Sequence, residues 1–434
     1  MASVDISGGS IPSLTNTLTD THIFVGDINN EPQDVALTLS ATGGTFSLAN
    51  TGILTMPNAD ATTRGLLTAA DWVTFNNKQN AIPDWTTGFG SGTQATSTWT
   101  ATNAAATVNA ALIPKAGGAV LAALPNGAAS GGNARGGYAV DFQTFRTNAN
   151  EVSSGGFSVI CGGRNNRSAG ADAVIVGGNS NIVTNQRSFI GGGTGNNLTT
   201  LNGGVICGGE SNSTSANGLI AIVGGASNTA TGANNFIGGG QSNSAGTGSH
   251  IVITGGQSNT ASASYSKIIG GLSAVANLYG QSSHASGQFS TGGDAQANEL
   301  IWRRAVTGTA ITELFLDGSS AAAILPTTNS VWHGTIEIVA ICTNAGGGTT
   351  IVGDVEASSY LVTIKRIGVN TTLVGGVQQI GITNADASMS TASFTIDANN
   401  TNESLRIQFT PPATADATTQ IRVVATLRGT QIKY

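Results

Sequence analysis

Hydrolysis of a glycosidic bond needs two carboxylates about 5–9.5 Å apart, so the acidic side chains are the first test of what this 434-residue chain does. Between Phe157 and Ser290 only Asp172 and Glu210 are acidic. They fall in different units of a repeat described below, about two steps apart. At ~4.8 Å per stacked strand they stand at least ~10 Å from each other. They also occupy different positions within the unit, so solvated surface is the better reading of both. The C-terminal third has more carboxylates, among them Asp317, Glu337, Asp354, Glu356, Asp386, Asp397 and Glu403, and nothing in their spacing pairs any two. The four histidines (His22, His250, His284 and His333) stand far apart, with no His-X-His motif. Cys161, Cys207 and Cys342 fit no metal-ligand spacing and read as small buried hydrophobes or bystanders. Serine is too abundant for a Ser-His-Asp arrangement to be argued. Strings such as Gly191–Gly195 do not join a buried strand to a helix, so they are not phosphate loops. The expectation is a protein with no catalytic residue, no metal and no cofactor.

What must position any site is a repeat. Gly-Gly pairs recur at Gly162, Gly177, Gly192, Gly208, Gly224, Gly239, Gly255 and Gly270, in steps of 15 or 16 residues. Two positions before each pair stands an isoleucine: Ile160, Ile175, Ile190, Ile206, Ile222, Ile237, Ile253 and Ile268. Three positions after it stands an asparagine, at Asn166, Asn181, Asn196, Asn212, Asn228, Asn243 and Asn259, until Ala274 breaks the column. The unit is too short for a helical hairpin repeat of about 33 residues. It allows two strands of about five residues with tight turns, the glycines supplying positive φ and the asparagine tolerating a left-handed conformation. Eight such coils stacked at ~4.8 Å make a parallel β-roll on the order of 38 Å long. Alternate residues of a strand point to opposite faces. The apolar residues before the isoleucines (Val159, Val174, Phe189, Val205, Phe236 and Val252) therefore form a second greasy face, which three-fold packing of identical chains closes.

Composition agrees with an elongated β-structure. Charged residues make up 9% of the chain and glycines number 61, while the net charge is only -6. Disorder usually needs a higher net charge and fewer β-branched residues. No basic cluster suits nucleic acid, and no stretch of 18 apolar residues suits a membrane span. No secretory signal is visible at the N-terminus.

The rest of the chain divides into segments around the roll. Residues 1–85 read as short strands, including Thr21–Gly26 and Val35–Leu39, with a short helix at Ala69 to Lys78 whose face carries Trp72 and Phe75. Residues 86–153 form an Ala/Thr/Gly-rich neck in which Arg135 and Arg146 are expected to contact other chains. Residues 154–295 are the repeat shaft. In 296–434, period-2 runs such as Tyr360–Lys365 and Leu405–Thr410 suggest an antiparallel β-sandwich knob whose last strand, Gln420 to Tyr434, is tied into the sheet. Trp302 and Trp332 are expected to fill its core.

Units such as "SFIGGGTGNN", "NFIGGGQSNSAG" and "SKIIGGLSAVA" make Ser154 through Gly287 resemble the left-handed β-roll heads of trimeric adhesins and the matching segments of phage tail fibres. Bacterial adhesins of that type carry a signal peptide and a membrane barrel; the phage version has neither, and it is the expected one here. The N-terminal 85 residues and the C-terminal knob likewise resemble the ends of phage tail fibres. The resemblance implies a homotrimeric virion component, made in the host cytoplasm. It would join other virion proteins through its N-terminal region and meet a host-surface glycan or protein, with no nucleic-acid partner and no membrane insertion. A polysaccharide-depolymerising tailspike and a decorating capsid fibre are the alternatives.

Overall fold

The computed structural model describes residues 117–199, 203–215, 218–319 and 328–434, together with three strands near the N-terminus. Those three, Val35–Leu39, Gly44–Leu48 and Leu54–Thr55, form an antiparallel sheet in that order. They belong to one unit, Met1–Asn109, and the rest of the fold belongs to another, Ala110–Tyr434. The strand expected at Thr21–Gly26, the helix at Ala69–Lys78 and His22 lie outside the described residues.

From Val120 to Ala285 the chain winds into stacked coils. One parallel ladder runs through Val159–Ile160, Val174–Ile175, Phe189–Ile190, Val205–Ile206, Ala221–Ile222, Phe236–Ile237, Val252–Ile253 and Lys267–Ile268, always pairing isoleucine with isoleucine. It begins earlier than the glycine repeat, at Val120–Leu121 and Val140–Asp141. A second ladder of eight strands runs from Arg167–Ser168 to Val275–Ala276. Single bridges through Arg164, Asn179, Thr194, Glu210, Ala226, Gln241, Gln257 and Leu272 form a third line of contact.

Apart from Lys267–Gly271 and Ser282–Ala285 at its end, the strands of the roll are two residues long, not the five that the repeat length allows. Each coil is cut by three positive-φ corners instead of two. The second glycine of each pair makes one: at Gly178, φ is +90°, and a Cβ there would stand 2.1 Å from the carbonyl oxygen of Gly193 in the next coil. The residue just before the asparagine makes another, as at Asn165, Ser180, Ser211 and Ser227. Phe157, Asp172, Arg187, Asn234, His250 and Tyr265 make the third. The left-handed residue is thus the neighbour of the repeat asparagine and not the asparagine itself.

Beyond the last coil the polypeptide becomes an antiparallel sandwich. Ser282–Ala285 pairs in parallel with Lys267–Gly271 and antiparallel with Ala295–Thr307, so one sheet runs on from roll to sandwich. Gln420–Lys433 lies between Ala295–Thr307 and Ser330–Asn344. Val355–Ile367 follows, edged by Asn370–Leu373 and Gln378–Ala385. A smaller sheet of Thr312–Glu313, Ser404–Thr410 and Ser393–Asn399 faces it. Trp302, Trp332, Ile336 and Ile338 from the large sheet meet Ile396, Leu405, Ile407 and Phe409 from the small one in a single core. Both tryptophans are buried, as alternation along their strands requires. Among the described residues no helix is long and apolar enough to cross a membrane.

Candidate functional site

Inside each coil the side chains are few and fully used. The eight repeat isoleucines are wholly buried and form one continuous core with Val183, Leu198, Ala230, Ala245, Ala261 and Ala276. Burying one such side chain contributes about 1.5–3 kcal/mol. The repeat asparagines are buried as well, and the fold gives each several partners. Asn212 Nδ2 donates to the carbonyls of Gly208 in its own coil and Gly225 in the next. Its Oδ1 accepts the backbone N–H of Asn228 at 3.0 Å. The same links join Asn166, Asn181, Asn196, Asn228, Asn243 and Asn259, ending on the N–H of Ala274. A buried amide left without such partners would cost about 1–3 kcal/mol, which is why the column admits only a short amide.

Both ends of the eight-stranded ladder are closed by glutamines that appear once. Gln143 Oε1 accepts the N–H of Asn166 at 2.9 Å, and its Nε2 donates to the carbonyl of Asn166 at 2.8 Å. At the other end Gln296 Oε1 accepts the N–H of Val275 at 2.8 Å, and its Nε2 donates to the Val275 carbonyl at 2.9 Å. Gln296 also belongs to a buried amide cluster with Gln281, Ser283, Asn298 and Gln431. No periodicity marks either residue.

The outer surface of the roll is unevenly apolar. Val176, Phe189, Val223, Phe236, Val252 and Ile269 are exposed beside the isoleucine column. Cys161 and Cys207 lie exposed on that side as free thiols, while Cys342 is buried in the sandwich, where burial raises its pKa. The first glycine of each pair lies along the same stripe. At Gly162, Gly177, Gly208 and Gly224 no atom of the chain comes within 4 Å of where a Cβ would be, and none of the four has a left-handed φ.

The two acids of the repeat stand apart. Asp172 occupies a left-handed corner and Glu210 the bridge line two coils on. In the sandwich, Arg428 pairs with Glu299 at 3.0 Å and reaches Glu337 at 3.6 Å, and Arg366 pairs with Glu403. Asp354 accepts from Ser388 and Asp386 from the Val355 N–H. Glu313, which the sequence did not single out, sits beside Arg406 and Asp397. Burial raises its pKa, with Arg406 opposing and Asp397 adding to the rise. Both oxygens of Asp397 are bound by Arg406, at 2.6 and 2.7 Å, so that carboxylate is committed. Glu356 faces the core and burial lifts its pKa to about 7. His250, His284 and His333 fall in different places, and among the described residues no three His, Cys, Asp or Glu side chains cluster as a metal site would need.

Arg135 and Arg146, expected between chains, are instead buried within one. Both reach Asp141 Oδ2, at 2.8 and 2.9 Å, and anchor the first coils. The long side chains fold back because Asp141 occupies, one coil below Ile160, the buried position that isoleucine holds above it.

Exposed aromatic rings mark the third corner. Tyr138 stacks on Phe157 with centroids 4.9 Å apart. His250 stacks on Tyr265 at 5.0 Å, and Tyr279 tilts against Tyr265 at 5.1 Å. The spacing is that of the coils, so in-register stacking turns single aromatics into ladders. Sequence reading passed over them because they interrupt no column.

No family model matches the chain, and no curated protein matches it. Among solved structures it aligns with the tailspike protein of Acinetobacter phage vB_ApiP_P1 at 14% identity and a TM-score of 0.18, covering 64% of this chain and 56% of that one. It aligns with the tailspike protein of Acinetobacter baumannii phage AM24 at 8% identity and a TM-score of 0.18, covering 67% of each. The chain thus spans little more than half the length of the first.

Proposed function

We propose that the chain is a homotrimeric, non-enzymatic fibre protein of a phage virion, with the N-terminal region toward the particle and the sandwich knob toward a host-surface receptor. The observation that carries this is the stripe of exposed apolar side chains and open glycines along the roll. Exposing Phe189, Phe236 and Ile269 in line is costly for a lone chain. Glycine at Gly162, Gly177, Gly208 and Gly224 answers no need within that chain. Close approach of the backbone of a second copy accounts for both. A closed ring of three copies leaves no copy with an open stripe. Three knobs on one rod engage a surface together, so weak contacts add through effective concentration.

Binding is favoured over hydrolysis because the roll offers two separated acids and the sandwich commits Asp397 to Arg406. Light scattering of the purified protein is expected to give three times 43.3 kDa. Added protein is expected to block attachment of the virus to its host cells, and host polysaccharide incubated with it should release no reducing sugar. A stable single-chain species, or protein without effect on attachment, would overturn the reading.

A further inference from the structure

Where the last coils meet the knob, a cavity of about 420 Å³ is lined by Tyr265, Tyr279, Gly280, Ile301, Arg303 and Leu316. That volume lies within the range of small-ligand sites, about 300–1,000 Å³. We propose that this junction binds an acidic pyranose, a uronic or nonulosonic acid residue of a surface glycan. The inference rests on the receptor-binding reading above and names where and what that receptor is.

Three observations converge on it. Tyr265 is 53% exposed, so core packing does not hold it there. Its φ of 59° is left-handed, as it is at the equivalent corners Phe157, Asp172, Arg187, Asn234 and His250. His250 stacks on Tyr265 from the coil before and Tyr279 tilts against it from the coil after, so the cavity is met by the edge of Tyr265 and by the inclined ring of Tyr279. The flat apolar face of a pyranose fits an aromatic plane, as amphipathic ligands do. Finally, Arg303 stands exposed on the outer side of the Ala295–Thr307 strand and donates from Nη2 to the Asp317 carbonyl at 2.9 Å. Its planar fork is suited to a sugar carboxylate. The Tyr138–Phe157 pair has the same stacking and the same left-handed corner at the other end of the roll, away from the knob. It therefore serves as the internal control.

The experiment is binding of the intact protein to an immobilised array of acidic and neutral bacterial glycans, compared across Tyr265→Asn, Arg303→Gln and Phe157→Asn. Asparagine suits the left-handed corner, so Tyr265→Asn keeps the coil and its melting temperature. Wild type is expected to bind glycans carrying a carboxylated sugar over their neutral counterparts. Tyr265→Asn and Arg303→Gln should each weaken that binding by about tenfold or more, and Phe157→Asn should not. Wild type binding no acidic glycan, the two junction variants binding unchanged, or Phe157→Asn losing as much would each sink the proposal. If wild-type protein still blocks viral attachment in those cases, only the junction site falls. If it does not block, the receptor-binding reading falls with it.

Discussion

The roll and the sandwich solve the same problem, burying apolar surface in an all-β chain, with opposite economies of sequence distance. Through the glycine repeat of the roll every ladder partner from Val159 to Ile268 is 15 or 16 residues away, and the same few contacts recur: isoleucine on isoleucine, asparagine on asparagine. In the sandwich, Ala295–Thr307 waits for Gln420–Lys433, and one amide contact across the junction, Gln296 to Gln431, spans 135 residues. A stack of identical units is stabilised nearly additively, each coil by its neighbours, whereas the sandwich stands or falls as one core. The roll is therefore expected to be locally repairable and slow to fray, and the knob to unfold as a unit.

The strongest way to break this comparison is Trp302→Ala, which opens the middle of the sandwich core and should cost about 3–5 kcal/mol. Hydrogen exchange is expected to rise throughout 296–434 while the coils keep their protection. Loss of protection in the coils as well would mean that the two parts form one cooperative unit. Next in size is Glu356. Its carboxyl is held neutral by burial, with a pKa of about 7 in the folded state against an ordinary value near 4.5. The folded state thus binds the proton more tightly, so knob stability is fullest below pH ~4.5 and declines as pH rises through about 7. By pH 8 the loss is on the order of 3 kcal/mol. Glu356→Gln should flatten that dependence in urea titrations of the knob and leave the coils untouched. A wild-type knob equally stable at pH 5 and pH 8 would refute it.

Smaller effects test the shaft. Asn212→Ala leaves the Asn228 N–H and the Gly208 and Gly225 carbonyls short of partners, and should cost about 2 kcal/mol. The faster exchange should be confined to the coils on either side, and a loss spread evenly along the roll would contradict nearest-neighbour stacking. Gln143→Ala removes the side-chain closure at Asn166 together with a bond to the Glu151 carbonyl and should cost about 1–2 kcal/mol, read as fraying around Arg167 and Ile182. Unchanged exchange there would mean that the cap is dispensable.

How much of this could be read from residues alone differs between the same two regions. Translation makes the roll legible: eight isoleucines at one phase must share one column. Periodicity says that a residue type is required at a position, though not which way it points. Hence the asparagines were expected to take the left-handed corner, when their preceding neighbour takes it and they turn inward. Residues that occur once carry no such signal, so the glutamine closures, the buried Arg135–Asp141–Arg146 group and the meeting of Tyr265 with Arg303 were not visible. In the sandwich, alternation marked Leu405, Ile407 and Phe409 as core. It gave no hint that Gln420–Lys433 lies in the middle of the large sheet, because strand order is decided by contacts across more than a hundred residues.

Gln143 and Gln296 have one more consequence. Strands stacked in parallel and in register are the geometry from which filaments grow without limit, since each exposed edge templates the next chain. Here the Gln296 amide occupies the outer donor and acceptor of the last strand of the eight-stranded ladder, while at the first strand Gln143 holds Asn166 and the backbone of Val152 and Ser154 holds Ser168. The ladder cannot be lengthened by recruiting a stranger. How far it reaches is written into the gene as a number of repeats, and a shorter or longer version would be made by deleting or duplicating coils between the two stops.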